Sequence, residues 1–204
     1  MAAIKLAIKT GYRLLDTAHV YRNEDTVGQA VRESISDGVL SSRSDIFITS
    51  KLFSGYHNPR LIRGAIEHEI GLLGLEYIDL YLIHAPWGVK PQPGSFNLET
   101  VSDEMEDFDH LDMWKELESA VDDGLVRAIG VSNFDIEQVD NILQACRIKP
   151  LNNQVESHPY LDQSALIKHH KQHDISVTSY MSLGRGDRTK VSYFTVLLPI
   201  AMSH

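Results

Sequence analysis

Apolar positions along this chain repeat with two different periods, and those periods predict its elements. The opening residues AAIKLAIKT carry apolar side chains at helical spacing and run into Gly11, which is placed to end a helix. A short apolar run, Tyr12 to Leu15, then predicts a strand that delivers Asp16 to its C-terminal end, with Tyr21 following closely. IFITS (Ile46 to Ser50) predicts a second strand. Asn58 is placed to cap a helix with Pro59 in its first turn, and Leu61, Ile62, Ala65, Ile66, Ile70 and Leu73 lie along one side of it. IDLYLIH (Ile78 to His84) comes next, then a long connection broken by Pro and Gly, then a helix around Trp114 to Val121 closed by Gly124. VRAIGVSN predicts a strand, the residues from about Asp135 to Cys146 a helix, and NNQVES and ISVTSY two strands flanking the helix ALIKHHKQH.

Strands alternating with helices imply a parallel sheet in an α/β fold. A doubly wound sheet wants GxGxxG between its first strand and the following helix, and no strand-to-helix turn here carries it. Polar residues instead end several different strands: Asp16, Lys51, His84, Asn133, Glu156 and Tyr180. That is how a (β/α) barrel assembles a site at its C-terminal face. A carboxylate at a strand end is expensive to desolvate without a cation, and Lys51 is the candidate partner for Asp16.

Composition narrows the function classes. A chain of 204 residues suits one sizeable core. Its net charge of −9 argues against nucleic-acid binding, which needs a basic face. The single cysteine, Cys146, excludes an internal disulfide, fits a reducing compartment and reads as a small buried apolar residue. The opening residues lack the order of a signal peptide, and the longest apolar run, Tyr193 to Met202, falls short of the ~20 residues a membrane span takes. A cytoplasmic protein without membrane or nucleic-acid partners is expected.

Six blocks, GYRLLDTAHVYRNE, ITSKLF, YIDLYLIHAP, GLVRAIGVSNF, NNQVESHPYL and TSYMSLG, resemble in order and spacing the signature blocks of the aldo-keto reductases, from roughly the first residue to Gly184. The resemblance implies a TIM-type (β/α)8 barrel and NAD(P)H-dependent reduction of aldehydes or ketones to alcohols, with NADPH as cofactor and NADH as the alternative. It places Asp16, Tyr21, Lys51 and His84 at the family's catalytic tetrad. The chemistry of those residue types agrees: protonating a forming alkoxide needs an acid, an ammonium beside a phenol stabilises phenolate, and a carboxylate holds the ammonium in place. Tyr21 is then the acid, Lys51 its tuner, Asp16 the anchor, and His84 orients the carbonyl. The resemblance also implies Ser132, Asn133 and Gln154 at the nicotinamide carboxamide, Tyr180 stacked on its ring, and Ser182, Leu183 and Gly184 near the pyrophosphate. Where the family commonly has tryptophan directly after the histidine, this chain has Ala85, with Trp87 two places on. Trp87 and Phe53 are the expected apolar walls of the pocket for a small carbonyl substrate.

Against about three hundred residues and eight strands in the family, the chain is expected to be shortened at both ends. About six barrel strands are expected in residues 1–187, with 188–204 a divergent tail whose stretch Tyr193 to Ile200 is the candidate replacement strand. The gap would leave two strand edges, one carrying Asp16 and the other Tyr180. A monomer is expected, with those edges as its route to association. A segment that grips the adenosine 2′-phosphate in the family is absent, which predicts weak NADPH binding and activity impaired by truncation. A splice variant or a partial gene model would account for such a chain. The alternative reading is a non-catalytic relative that acts as a binding or regulatory partner.

Other patterns carry less. His169, His170 and His173 lack acidic or cysteine companions at ligand spacing in the sequence, so no metal site is expected. His84, Glu156 and His158 would form a third reading, a metal-dependent barrel hydrolase. The acidic run from Asp103 to Asp112 lacks the glycine of a calcium-binding loop and reads as a solvated lead into a helix. Arg185-Gly186-Asp187 matches an adhesion tripeptide by chance.

Overall fold

Helices and strands alternate as the periodicity predicts. The computed structural model describes residues 1–90 and 104–184. In chain order it contains α1 (Ala2–Lys9), β1 (Leu14–Asp16), α2 (Glu24–Ser36), β2 (Phe47–Leu52), α3 (Pro59–Leu73), β3 (Ile78–Ile83), β4 (Gly88–Val89), β5 (Met105–Glu106), α4 (His110–Asp122), β6 (Val126–Ser132), α5 (Ile136–Ala145), β7 (Asn152–Glu156), α6 (Ser164–Gln172) and β8 (Ser176–Tyr180). The proposed boundary between residues 187 and 188, the candidate strand Tyr193 to Ile200 and the Arg185-Gly186-Asp187 tripeptide lie outside the described residues.

The main sheet has six parallel strands in the order β1-β2-β3-β6-β7-β8. Each strand joins the same growing side, so the order never reverses as a doubly wound sheet requires. One hydrogen bond shows that this sheet curls. Gln154 Nε2 on β7 donates to Asp16 Oδ2 on β1 at 2.7 Å, although the two strands stand four places apart in the sheet. In a flat sheet, four spacings of ~4.8 Å would separate them by about 19 Å, beyond the reach of two side chains. Among the described residues the fold is therefore an incomplete (β/α) barrel with β1 and β8 at its edges; the residues predicted the barrel and the family resemblance its incompleteness.

Burial follows from that curvature. Every residue of β3, at the centre, is buried. Ile62, Ala65, Ile66 and Leu73 on α3, with Met113, Trp114, Leu117 and Ala120 on α4, cover the sheet in one apolar cluster. Helix ends obey the local signals. Asn58 caps α3 by accepting from the Arg60 amide, and Asp135 caps α5 in a reciprocal pair with Gln138. Gly74 and Gly124, at φ 58° and 74°, take the left-handed turn that ends α3 and follows α4.

The structure shifts several boundaries. Strand β1 starts at Leu14; Tyr12, 66% exposed, donates its amide to the Ala7 carbonyl and so still belongs to the C-terminal cap of α1. Strand β2 runs on to Leu52, and α4 starts at His110 because the Asp109 side chain caps it through the Leu111 amide. The β4–β5 hairpin, pairing Gly88 with Glu106, was not legible, since two-residue strands show no period. Cys146 is only half-buried, although burial still pushes its thiol pKa up.

Helices α2 and α3 meet at Gly28, where an added Cβ would fall 1.7 Å from the Leu73 carbonyl oxygen. Backbone cannot yield as a flexible side chain can. Gly28→Ala is therefore expected to cost about 1–3 kcal/mol, seen as a lower urea midpoint at unchanged m-value. An unchanged midpoint would show that the two helices separate freely.

Candidate active site

The C-terminal ends of the sheet strands bring the sequence-predicted acid, amine, carboxylate and imidazole together. Lys51, on β2, is fully buried. Its ammonium has three protons and meets three oxygens: Asp16 Oδ1 at 2.5 Å, the Thr17 carbonyl at 2.9 Å and the Tyr21 hydroxyl at 3.5 Å. Such a charge is tolerable inside the protein only because all its donors are used and one partner is anionic. Asp16 ends β1, next to β2, and its carboxylate is 32% exposed, so it opens onto solvent while Lys51 does not. Tyr21 lies in the short 3₁₀ turn His19–Tyr21 and is 48% exposed, with its hydroxyl turned to the ammonium.

His84 follows β3 and stands edge-on to the Tyr21 ring, the centroids 6.0 Å apart. Burial, and then the Lys51 charge, lower its pKa to about 4 against the opposing pull of Asp16. His84 is therefore neutral near pH 7 and able to donate one hydrogen bond to a carbonyl oxygen.

The remaining predicted residues flank this group. Asn133, at the end of β6, holds a left-handed φ of 64°, a conformation asparagine tolerates better than most residues. Its Nδ2 donates to the His84 carbonyl at 2.9 Å, and its Oδ1 accepts from the Tyr180 hydroxyl at 2.7 Å. Ser132, buried, donates through Oγ to the Gln154 carbonyl at 2.8 Å. Burial raises the pKa of Tyr180, which ends β8, so it remains a donor. Ser182, Leu183 and Gly184 follow at the limit of the described residues. Leu183 is 69% exposed, and Gly184 takes a φ of 72°.

Phe53, one residue past β2, packs edge-on against Tyr56 with centroids 5.4 Å apart, and Trp87 is 50% exposed. Ala85 is buried directly after His84, so a small side chain occupies that position. Two features of the site carried no signal in the sequence. Gln154 spends its amide protons on Asp16 as well as lying near the cofactor candidates, and Thr17 contributes a backbone carbonyl to Lys51. Both depend on how strands far apart in sequence come together.

One neighbour of the histidines was not visible in the sequence. Asp140 on α5 supplies the acidic companion that the sequence around His169 and His173 lacks. His84, Glu156 and His158 do not gather at ligand distance among the described residues, although His158 Nε2 lies 2.9 Å from Glu156 Oε1. The fold thus does not gather these three as one ligand set.

Comparison with known proteins is decisive about kinship. Residues 1–195 match the family model described as Aldo/keto reductase family. This chain is an aldo-keto reductase family member. It is 44% identical over 189 residues to prostaglandin F synthase 1 of Bos taurus, which covers 90% of this chain and 58% of the relative. It is 40% identical over 188 residues to aldo-keto reductase family 1 member A1 of Bos taurus, covering 92% and 58%. A solved aldose reductase from Schistosoma japonicum superposes with a TM-score of 0.83 at 39% identity, covering 96% of this chain and 66% of that one. The chain thus spans 58% of the length of those curated relatives. Aldo-keto reductases are oxidoreductases that act on small carbonyl compounds and generally use NADP(H). No helix among the described residues is long and apolar enough to cross a membrane.

Proposed function

We propose that this aldo-keto reductase domain reduces an aldehyde or ketone to an alcohol with NADPH, Tyr21 acting as the general acid. The contact that carries this reading is the fully buried Lys51 ammonium held between Asp16 and the Tyr21 hydroxyl. A structural ion pair needs no phenol at its third position. An acid for a forming alkoxide does.

The amides of Asn133 and Gln154 and the Tyr180 ring suit a nicotinamide, because a carboxamide both donates and accepts and its ring presents a flat face. Asn133 would exchange its bond with Tyr180 for one to the carboxamide, which frees the phenol ring to stack. A nicotinamide held by these residues would be the hydride source for the carbonyl carbon. Tyr21 then delivers its proton to the carbonyl oxygen, and the Lys51 ammonium stabilises the phenolate left behind. Asp16 fixes that ammonium, Gln154 fixes Asp16 by donating to its other oxygen, and neutral His84 orients the carbonyl. Phe53 and Trp87 wall the substrate side, and Ser182, Leu183 and Gly184 form the approach to the pyrophosphate. Catalysis takes place in a monomer in the cytoplasm.

A substrate-labelling experiment tests the activity. NADPH carrying deuterium on its transferable position is incubated with the chain and a generic aldehyde, and the alcohol is analysed by mass spectrometry. Deuterium on the carbinol carbon is expected. NADPH binding with no alcohol formed would overturn catalysis and favour a binding role for the domain.

A further inference from the structure

His169 lies in the last turn of helix α6 and His173 caps its C-terminal end, four residues on, which places both imidazoles on one side, one turn from each other. Their ring centroids are 4.7 Å apart. Asp140 on helix α5 reaches them, its Oδ1 lying 2.9 Å from His169 Nε2. One ligand atom from each residue falls within 4.8 Å of the others. Ligands ~2.0–2.2 Å from a tetrahedral ion stand about 3.4 Å from one another, a distance small rotations of these three side chains can reach.

We propose that Asp140, His169 and His173 form a site for a divalent transition-metal ion of the zinc type, with water in the fourth position. Two imidazoles and one carboxylate favour zinc, cobalt, nickel or copper over magnesium or calcium, which take oxygen donors. The site is also held in shape. Next to His169, the buried His170 accepts from Asn153 Nδ2 at 2.9 Å, which anchors that turn of α6 to β7. At the helix end, the Lys149 ammonium donates to the His173 carbonyl at 3.0 Å. An ion here bridges α5, between β6 and β7 in the chain, to α6, which packs on the edge strand β8, and lies on the helix layer, separate from the strand-end site of Tyr21 and Lys51. It replaces the hydrogen bond between His169 and Asp140 with two coordinate bonds, and so clasps the helices more firmly than the side chains do alone.

The test is a titration of the chelator-treated full chain with cobalt(II), read by visible absorption and followed by competition with zinc. One equivalent of cobalt should produce the intense bands of tetrahedral coordination, and zinc should abolish them. His173→Ala and Asp140→Asn, placed on different helices, should each weaken binding at least tenfold while circular dichroism stays unchanged, and either variant suffices if the other misfolds. Absence of tetrahedral bands, or bands that persist unchanged in a folded variant, would overturn the site by showing that no ion binds or that it sits among the other histidines.

Discussion

Tyr21→Phe is expected to slow aldehyde reduction by about a hundred- to ten-thousandfold, the usual worth of a positioned general acid. The substitution is informative because it removes one oxygen and little else. Tyr21 is half-exposed, its ring contact with His84 needs no hydroxyl, and Lys51 keeps Asp16 and the Thr17 carbonyl as partners. Stability and nicotinamide binding should therefore remain close to those of the unaltered chain, with the loss falling on the proton-transfer step. The 3.5 Å between Lys51 Nζ and the Tyr21 hydroxyl is long for a hydrogen bond, and catalytic contacts commonly tighten only once substrate is bound. Single-turnover NADPH oxidation, measured with binding by fluorescence titration, separates the two effects. Equal single-turnover rates in both proteins would remove Tyr21 from the chemistry and leave the Lys51–Asp16 pair with a structural role.

Much of this site was legible because strand ends advertise it. Asp16, Lys51 and His84 each follow an apolar run, and a parallel barrel collects such positions on one face whatever lies between them. What stayed hidden depends on distances across the fold. Nothing near Gln154 in the sequence points to Asp16, since their contact exists only because the sheet curls. Asp140 and His169 likewise meet because α5 and α6 are neighbours. The strand limits were harder to place than the strands, as Tyr12 shows, because an apolar residue that closes off a helix has the same appearance as one in a strand.

The same limitation concealed a carboxylic acid behind the site, and it yields the second large expected effect. Glu69, on α3 and 1% exposed, accepts from Ser50 Oγ at 2.7 Å and from the Tyr81 hydroxyl at 2.9 Å. Read by helical period alone, it is one more polar residue on a helix surface. Burial pushes its pKa from 4.5 up to about 7, although both hydrogen bonds act in the opposite direction. In the unfolded chain the group loses its proton at its ordinary value, whereas the native protein holds that proton until about pH 7. The native state therefore binds more protons across this window, and stability falls as pH rises through it. The contribution is fully present below pH 4.5 and lost above about pH 7.

Glu69→Gln removes the titration while keeping a similar shape and a polar end for Ser50 and Tyr81. At about 1.4 kcal/mol per pKa unit, the variant should gain up to about 3 kcal/mol at pH 8 and nothing at pH 4. An amide makes weaker bonds than a carboxylate, so the figure is a ceiling. His57 and His84, whose pKa values burial lowers to about 3 and about 4, produce the opposite slope below pH 6.5. Both are present in each protein and cancel in the difference. Urea unfolding of the two proteins across pH 4 to 8 tests this, and a stability difference independent of pH would show that Glu69 does not hold its proton in the fold. The consequence reaches the active site through β2. Ser50 turns toward Glu69 on the helix side, so its neighbour Lys51 must face the opposite side, toward Asp16. The bond to the buried acid thus agrees with the strand orientation, set by the ladders to β1 and β3, that gives Tyr21 its ammonium.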